Sequence, residues 1–306
     1  MPFPVAGLVP ILATPFAPDG TLDRPGLRRL VEFQVHCGVA GIAVFGLASE
    51  GFSLTVGERA AILDDVRTVA GRDLPIVAGV NATSTATAVE QARAAAAGGA
   101  DALMVLPPFL TKQPAGRLAD FFGTVAEQAG LPVMVQDAPA ATGVTMSVPA
   151  LVELSKLPGV DAVKVETQPT APKIGAVVDA TGAAAPDREG WAVFGGQNAL
   201  FVLEEYARGA VGTMPACEFS DALAVSLRDH QAGRVEQAHL AFNRLLPLIR
   251  FGLQPGIAHA VHKDVLVRRG VIDSDTVRDP VQPLDPGSRA ALDLIWRMNP
   301  LPRWDG

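Results

Sequence analysis

Short apolar runs that recur eight times along 306 residues constrain this chain more than any other feature. Runs rich in Val, Ile and Ala lie near 8–14, 41–46, 76–80, 101–106, 132–137, 160–166, 191–195 and 210–214. Each ends in Gly, Pro or a polar break. Apolar residues at helical spacing follow, near 23–36, 56–70, 84–98, 115–129, 148–156, 171–180, 198–207 and 218–231. The runs are apolar throughout rather than alternating, which is the pattern of parallel strands buried on both faces. Thr55, Ser84, Ser147 and Asn198 stand where helix N-caps are needed. No glycine-rich phosphate loop follows the first run. Eight βα units therefore predict an α/β fold, a closed (βα)8 TIM barrel over 1–231, rather than an open doubly wound sheet. Helical patterns near 233–251, 255–269 and 287–297 predict a C-terminal helical extension over 232–306, packed on the barrel with no flexible linker.

Composition narrows the partners. Hydrophobic residues make up 49% of the chain, enough for a large core, and 25 Lys+Arg against 32 Asp+Glu leave a net charge of −7. That sign is wrong for neutralising phosphates, so no nucleic-acid partner is expected. Cys37 and Cys217 are the only cysteines, which gives no disulfide framework and points to a reducing compartment. The opening MPFPVAGLVPILATPF lacks a basic start and is broken by Pro4, Pro10 and Pro15, so it reads as a strand rather than a secretion signal. No apolar run reaches the ~20 residues that cross a bilayer. A cytoplasmic protein with no membrane partner is the expectation.

Barrels of this kind carry their chemistry at the C-terminal ends of the strands. Of five lysines, Lys112, Lys156, Lys164, Lys173 and Lys263, Lys164 stands inside an apolar strand, VDAVKVET. A lysine in a dry pocket gives up its proton readily and becomes a nucleophile toward carbonyls. Glu166 lies two residues on, hence on the same face. The pair reads either as a Schiff-base lysine with a proton-shuttling carboxylate or as a structural ion pair. The loop GLASEGFSLTVGER at 46–59 offers backbone N–H groups and Ser49 for a carboxylate; alternatively it is an ordinary turn with Thr55 and Glu58 as a capping box. In QDAPAATG, 136–143, Thr142 and Gly143 stand ready for a carboxylate, and in FGGQN, 194–198, Gly196 precedes a helix where barrels bind anions or simply turn tightly. His259 and His262 lie three apart with no further ligand spaced beside them, so they read as a surface or interface pair, and neither metal nor cofactor is expected.

Taken together these segments resemble the dihydrodipicolinate synthase / N-acetylneuraminate lyase family of class I, Schiff-base-forming aldolases. VPILATPFAPDGTLD is similar to that family's first strand and loop, and GLASEGFSLTVGER to its GTTGE-type loop. The third and fourth units appear in VAGVNATSTATAVEQARAAAAGGADALMVLPPF, the fifth strand with its Y-N-x-P-x-x-T-G turn in PVMVQDAPAATG, and the lysine strand in VDAVKVET. The resemblance implies that Lys164 forms an imine with pyruvate or another 2-oxo acid, and that the protein is a homo-oligomer, dimer or tetramer. Departures are specific. Gln136 stands in place of the strand-five tyrosine and Phe109 in place of the second; Tyr206 matches neither; Leu47 and Ala48 replace the loop hydroxyls, and Ala141 the synthase arginine. Glutamine cannot exchange a proton. The expected protein is a lyase or hydro-lyase of a 2-oxo acid rather than a true dihydrodipicolinate synthase. Lys164 is the expected nucleophile. Glu166, or a water held by Gln136 and Asp137, moves protons, while Leu47, Ala48, Ser49, Thr142, Gly143 and Gly196 are the expected substrate contacts. The alternative is a barrel that binds a 2-oxo acid without turnover.

Overall fold

A strand covered on both faces sends successive side chains alternately toward the barrel axis and toward the helices. The computed structural model describes residues 3–111, 114, 116–182 and 190–306, and eight parallel strands do this. They are β1 (Gly7–Leu8), β2 (Ile42–Val44), β3 (Ile76–Val80), β4 (Ala102–Val105), β5 (Val133–Asp137), β6 (Val160–Val165), β7 (Ala192–Gly195) and β8 (Gly212–Thr213). Neighbours run in the order β1, β8, β7, β6, β5, β4, β3, β2. The ring closes between β1 and β2, where the Leu12 N–H donates to Ala43 O at 2.8 Å and the Ala43 N–H to Pro10 O at 2.9 Å. The fold is the expected TIM barrel. Its first strand is shorter than the run 8–14 because Pro10 has no N–H for the ladder.

Two layers of apolar packing follow from the alternation. Val163 and Val165 of β6 and Val133 and Val135 of β5 face the helices, whereas Ala43, Val77, Ala102, Met104, Met134, Ala162 and Phe194 fill the barrel lumen. Small and large side chains share that lumen, as a tapering interior requires. Position 164 follows Ala162 on the lumen side, and position 136 follows Met134.

The connecting helices are α1 (Arg24–His36), α2 (Val56–Ala70), α3 (Thr85–Ala97), α4 (Gly116–Ala129), α5 (Pro139–Thr142), α6 (Val148–Leu154), α7 (Thr170–Thr181), α8 (Val202–Tyr206) and α9 (Ser220–Gln231). Position 115, taken as the start of the fourth helix, and Lys112 lie outside the described residues. Thr55 and Glu58 form the capping box on α2, and Ser84 and Ser147 cap α3 and α6. Asn198 is a correction. It caps no helix but sits in left-handed backbone at φ 52°, its Oδ1 accepting from the Ala216 N–H at 2.9 Å, and α8 begins only at Val202. The one-turn α5 was not anticipated.

After α9 come α10 (Val235–Phe251), α11 (Ala258–Arg268) and α12 (Pro286–Met298). Apolar residues of α10 and α11 join the core beneath the barrel helices, and buried charges fix α11 in place. Lys263 ion-pairs with Glu50 in the loop after β2 and donates to Thr276 O at 2.8 Å. The Phe16 ring stacks against both the Lys263 ammonium, at 4.1 Å, and the Arg278 guanidinium, at 4.0 Å. Burial pulls the Lys263 amine down to about 8, with Glu50 opposing the shift. Arg269, just past α11, donates to both oxygens of Asp221 at 2.8 and 2.6 Å and to Glu218 O at 2.8 Å. Among the described residues no helix is long and apolar enough to cross a membrane. Removing one partner of a buried pair strands the other charge, so Lys263→Ala is expected to destabilise the fold by about 3–5 kcal/mol. A drop in the urea midpoint at unchanged slope checks this.

Candidate active site

A cavity of about 180 Å³ opens at the C-terminal end of the strands, with Gln136, Lys164 and Glu166 on one wall and Leu47, Ala48, His259 and His262 on another. Its wall begins with the alternation on β6. Lys164, 2% exposed, points inward, and Glu166 just past the strand end shares its face, Nζ lying 3.4 Å from Oε1. On the neighbouring strand Gln136 is in register with Lys164 and donates its Nε2–H to Glu166 Oε2 at 2.8 Å. Gln197 completes the grip, its backbone N–H reaching Glu166 Oε1 at 3.4 Å and its Nε2–H donating to Glu166 O at 3.1 Å. The carboxylate is held between an amine and two amides. Such a group accepts and returns a proton without moving.

Gly195 and Gly196 make room for this arrangement. A Cβ at Gly196 would stand 2.5 Å from Glu166 Cγ, and one at Gly195 would stand 1.8 Å from Oε2 of Glu205, on the helix side of β7. Glu205 is fully buried and accepts from Thr170 Oγ1–H at 2.6 Å. Burial pushes its carboxyl up to about 7, opposed by that hydrogen bond and reinforced by Glu204 and Glu166.

The remaining residues singled out from sequence divide. Leu47 and Ala48 line the cavity at the start of a single 3₁₀ turn, where first-turn N–H groups have no partner inside the helix. Gly196 does not line it but lies under Glu166. Ser49 is not among the lining residues: its N–H donates to Gly46 O at 3.1 Å, its carbonyl accepts from Thr14 Oγ1–H at 2.6 Å, and its hydroxyl is buried with no partner among the described residues. Thr142 and Gly143 are spent closing α5. The Thr142 hydroxyl donates to Ala138 O at 2.9 Å and the Gly143 N–H to Pro139 O at 2.8 Å. Asp137 cannot share a water with Gln136, because adjacent strand residues face opposite sides. Its carboxylate takes Lys173 at 2.7 Å and Thr167 at 2.8 Å behind the sheet.

The histidines are the larger correction. His259 and His262 line the cavity rather than the outer surface. His259 Nε2–H donates to Leu47 O at 2.8 Å, and burial lowers its pKa from the ordinary imidazole value. His262 Nδ1–H donates to Glu218 Oε1 at 2.8 Å. The signal that could have found this group is Glu218 itself, an acid just past the eighth strand, where barrels place their chemistry. Cys37 and Cys217 are buried free thiols, as expected.

Residues 4–297 match the sequence profile of the dihydrodipicolinate synthetase family. The chain belongs to that family. It is accordingly an enzyme, of the aldolase-type lyases that make up the dihydrodipicolinate synthetase family. An L-2-keto-3-deoxyarabonate dehydratase of Azospirillum brasilense is 31% identical, over 97% of this chain and 96% of its own. A 4-hydroxy-tetrahydrodipicolinate synthase of Streptomyces coelicolor is 31% identical, over 92% and 90%. The crystal structure of dihydrodipicolinate synthase from Rhodopseudomonas palustris superposes with a TM-score of 0.89 at 27% identity, covering 97% of this chain and 98% of that one.

The Glu205 carboxyl gives a pH signature. Its folded value lies above the unfolded 4.5, so its contribution to stability is complete below about pH 4.5 and is lost as pH rises through about 7. Over that window the wild type is expected to lose roughly 3 kcal/mol that Glu205→Gln does not lose. Urea midpoints of the two proteins at either end of the window measure the difference.

Proposed function

We propose that the protein is a Schiff-base hydro-lyase of 2-keto-3-deoxy sugar acids, with Lys164 as the nucleophile. The observation that carries this is a buried amine at the mouth of the barrel, 3.4 Å from a carboxylate that is itself gripped by Gln136 and Gln197. The Lys164 nitrogen attacks the C2 carbonyl carbon; a C–N bond forms, the carbonyl oxygen leaves as water, and a protonated imine results. That imine acidifies C3. Glu166 takes a C3 proton, and the electron pair left behind forms the enamine C2=C3. Expulsion of the C4 hydroxyl from the enamine then gives dehydration, and water hydrolyses the imine to free Lys164. The N–H groups of Leu47 and Ala48 are the donors best placed for the substrate carboxylate, in place of Ser49, Thr142 and Gly143.

Dehydration is preferred to tetrahydrodipicolinate synthesis on two grounds. Gln136 cannot relay the proton that an aldol addition requires, and Ala141 offers no charge for a second carboxylate. The name of the Azospirillum relative, similar along almost the whole chain, fits the same choice. Exposed Phe52, Val56 and Leu110, in the connections after β2 and β4, suit a face covered by a second copy in a dimer or tetramer. The two buried thiols suit a cytoplasmic setting.

Borohydride trapping tests the proposal. Incubation with pyruvate or 2-keto-3-deoxy-L-arabonate is expected to leave a reduced adduct on Lys164, located by peptide mass mapping, and none in Lys164→Ala. A folded wild type that yields no adduct with either acid overturns the assignment.

A further inference from the structure

The reaction needs a second proton group. The hydroxyl that leaves from C4 must be protonated as its bond breaks, and Glu166 is held at the imine nitrogen by Lys164, Gln136 and Gln197. Gln136 exchanges no proton. We infer that His262, oriented by Glu218, is the general acid that protonates the departing C4 hydroxyl.

The geometry separates this pair from the structural ion pairs around it. Lys263 and Arg269 each spend their donors joining elements: Lys263 reaches Glu50 and Thr276, and Arg269 reaches Asp221, Glu218 O and Pro302 O. His262 is different. Its Nδ1–H goes to Glu218, whereas Nε2 makes no hydrogen bond to a described residue, and the ring lines the same cavity as Lys164. Glu218, its side chain 1% exposed, has Oε1 on the imidazole and Oε2 without a partner. A side chain buried to that degree needs a hydrogen-bond partner, and the His262 ring supplies it. A buried acid that fixes one ring nitrogen and leaves the other without a partner among the described residues, in a ring that lines the cavity, is the arrangement that sets a histidine's tautomer.

The step balances. The Nε2–H of the imidazolium passes to the C4 hydroxyl, the C4–O bond breaks with its electron pair on oxygen, and water departs. The enamine pair moves to form C3=C4, and the imine C=N is restored. The C3 proton taken by Glu166 and the proton given by His262 return both groups, through solvent exchange, to their starting charges.

The assignment rests on the imine reading, and the two fail separately. Wild type, His262→Ala and His262→Asn are treated with pyruvate and borohydride, then assayed with whichever 2-keto-3-deoxy acid the wild type dehydrates fastest. Asparagine keeps an N–H for Glu218 but transfers no proton. Both variants are expected to trap adduct at wild-type yield while kcat falls about 10²–10⁴-fold, and added imidazole is expected to restore part of the rate to His262→Ala. Glu218→Ala is expected to lower kcat with KM little changed. No adduct in the wild type overturns the imine reading and this assignment together. Normal trapping with kcat within about threefold of wild type overturns the assignment alone, since general acid catalysis is worth far more than that. Loss of trapping in both His262 variants assigns a structural role and overturns it too, as does wild-type trapping with no 2-keto-3-deoxy acid turned over. A loss confined to KM in Glu218→Ala overturns the positioning role of Glu218.

Discussion

The contact between Lys164 and Glu166 is the interaction on which the site depends, and the backbone makes it almost unavoidable. Residues two apart on a strand share a face, and the lumen face of β6 leads into a cavity rather than into packed side chains. Lys164 is almost wholly shielded there and backbone groups are committed to the barrel. An amine and a carboxylate in that place must satisfy each other, and the remaining oxygen of Glu166 is taken by the amide of Gln136. The pair is set by position: a small molecule entering the cavity meets a nitrogen that has a carboxylate 3.4 Å away.

A barrel alone would leave this site open on the side of β1 and β2. The C-terminal helices close it, and their closure is electrostatic as much as apolar. The Lys263 to Glu50 pair holds α11 against the loop after β2, the Phe16 ring packs between the Lys263 and Arg278 cations, and the Arg269 fork ties the end of α11 to Asp221 at the start of α9; α11 in turn carries His259 and His262 into the cavity wall. The Leu47 carbonyl accepts from His259 Nε2–H at 2.8 Å, so the loop after β2 and α11 are joined directly at the cavity wall.

The sequence made the architecture legible because periodicity and capping are local. Apolar spacing places a helix near 56–70 with Thr55 at its cap, which is Val56–Ala70, and spacing in an apolar strand puts Lys164 and Glu166 on one face. Asp137 was misplaced although the same period-two rule puts it behind the sheet: its neighbour Gln136 drew it into the site. Thr142 and Gly143 carry donors that their own turn consumes, a matter of local hydrogen bonds that residue type does not reveal. His262 and Glu218 are 44 positions apart and meet only because α11 folds back over β8. The position of Glu218 just past the eighth strand is a local signal, whereas its pairing with His262 is a long-range contact that spacing does not encode.

The two glycines ending β7 have a consequence of their own. With no side chain on either surface, the strand is a bare peptide partition between Glu205 on one side and Glu166 on the other. So thinly insulated, the Glu205 carboxyl is pushed up by Glu166 and drawn down by Lys164 across the strand. Burial raises that outer carboxyl toward neutrality, so the charge behind the partition is set by the packing of α8 and α7 against β7 as well as by the site in front of it.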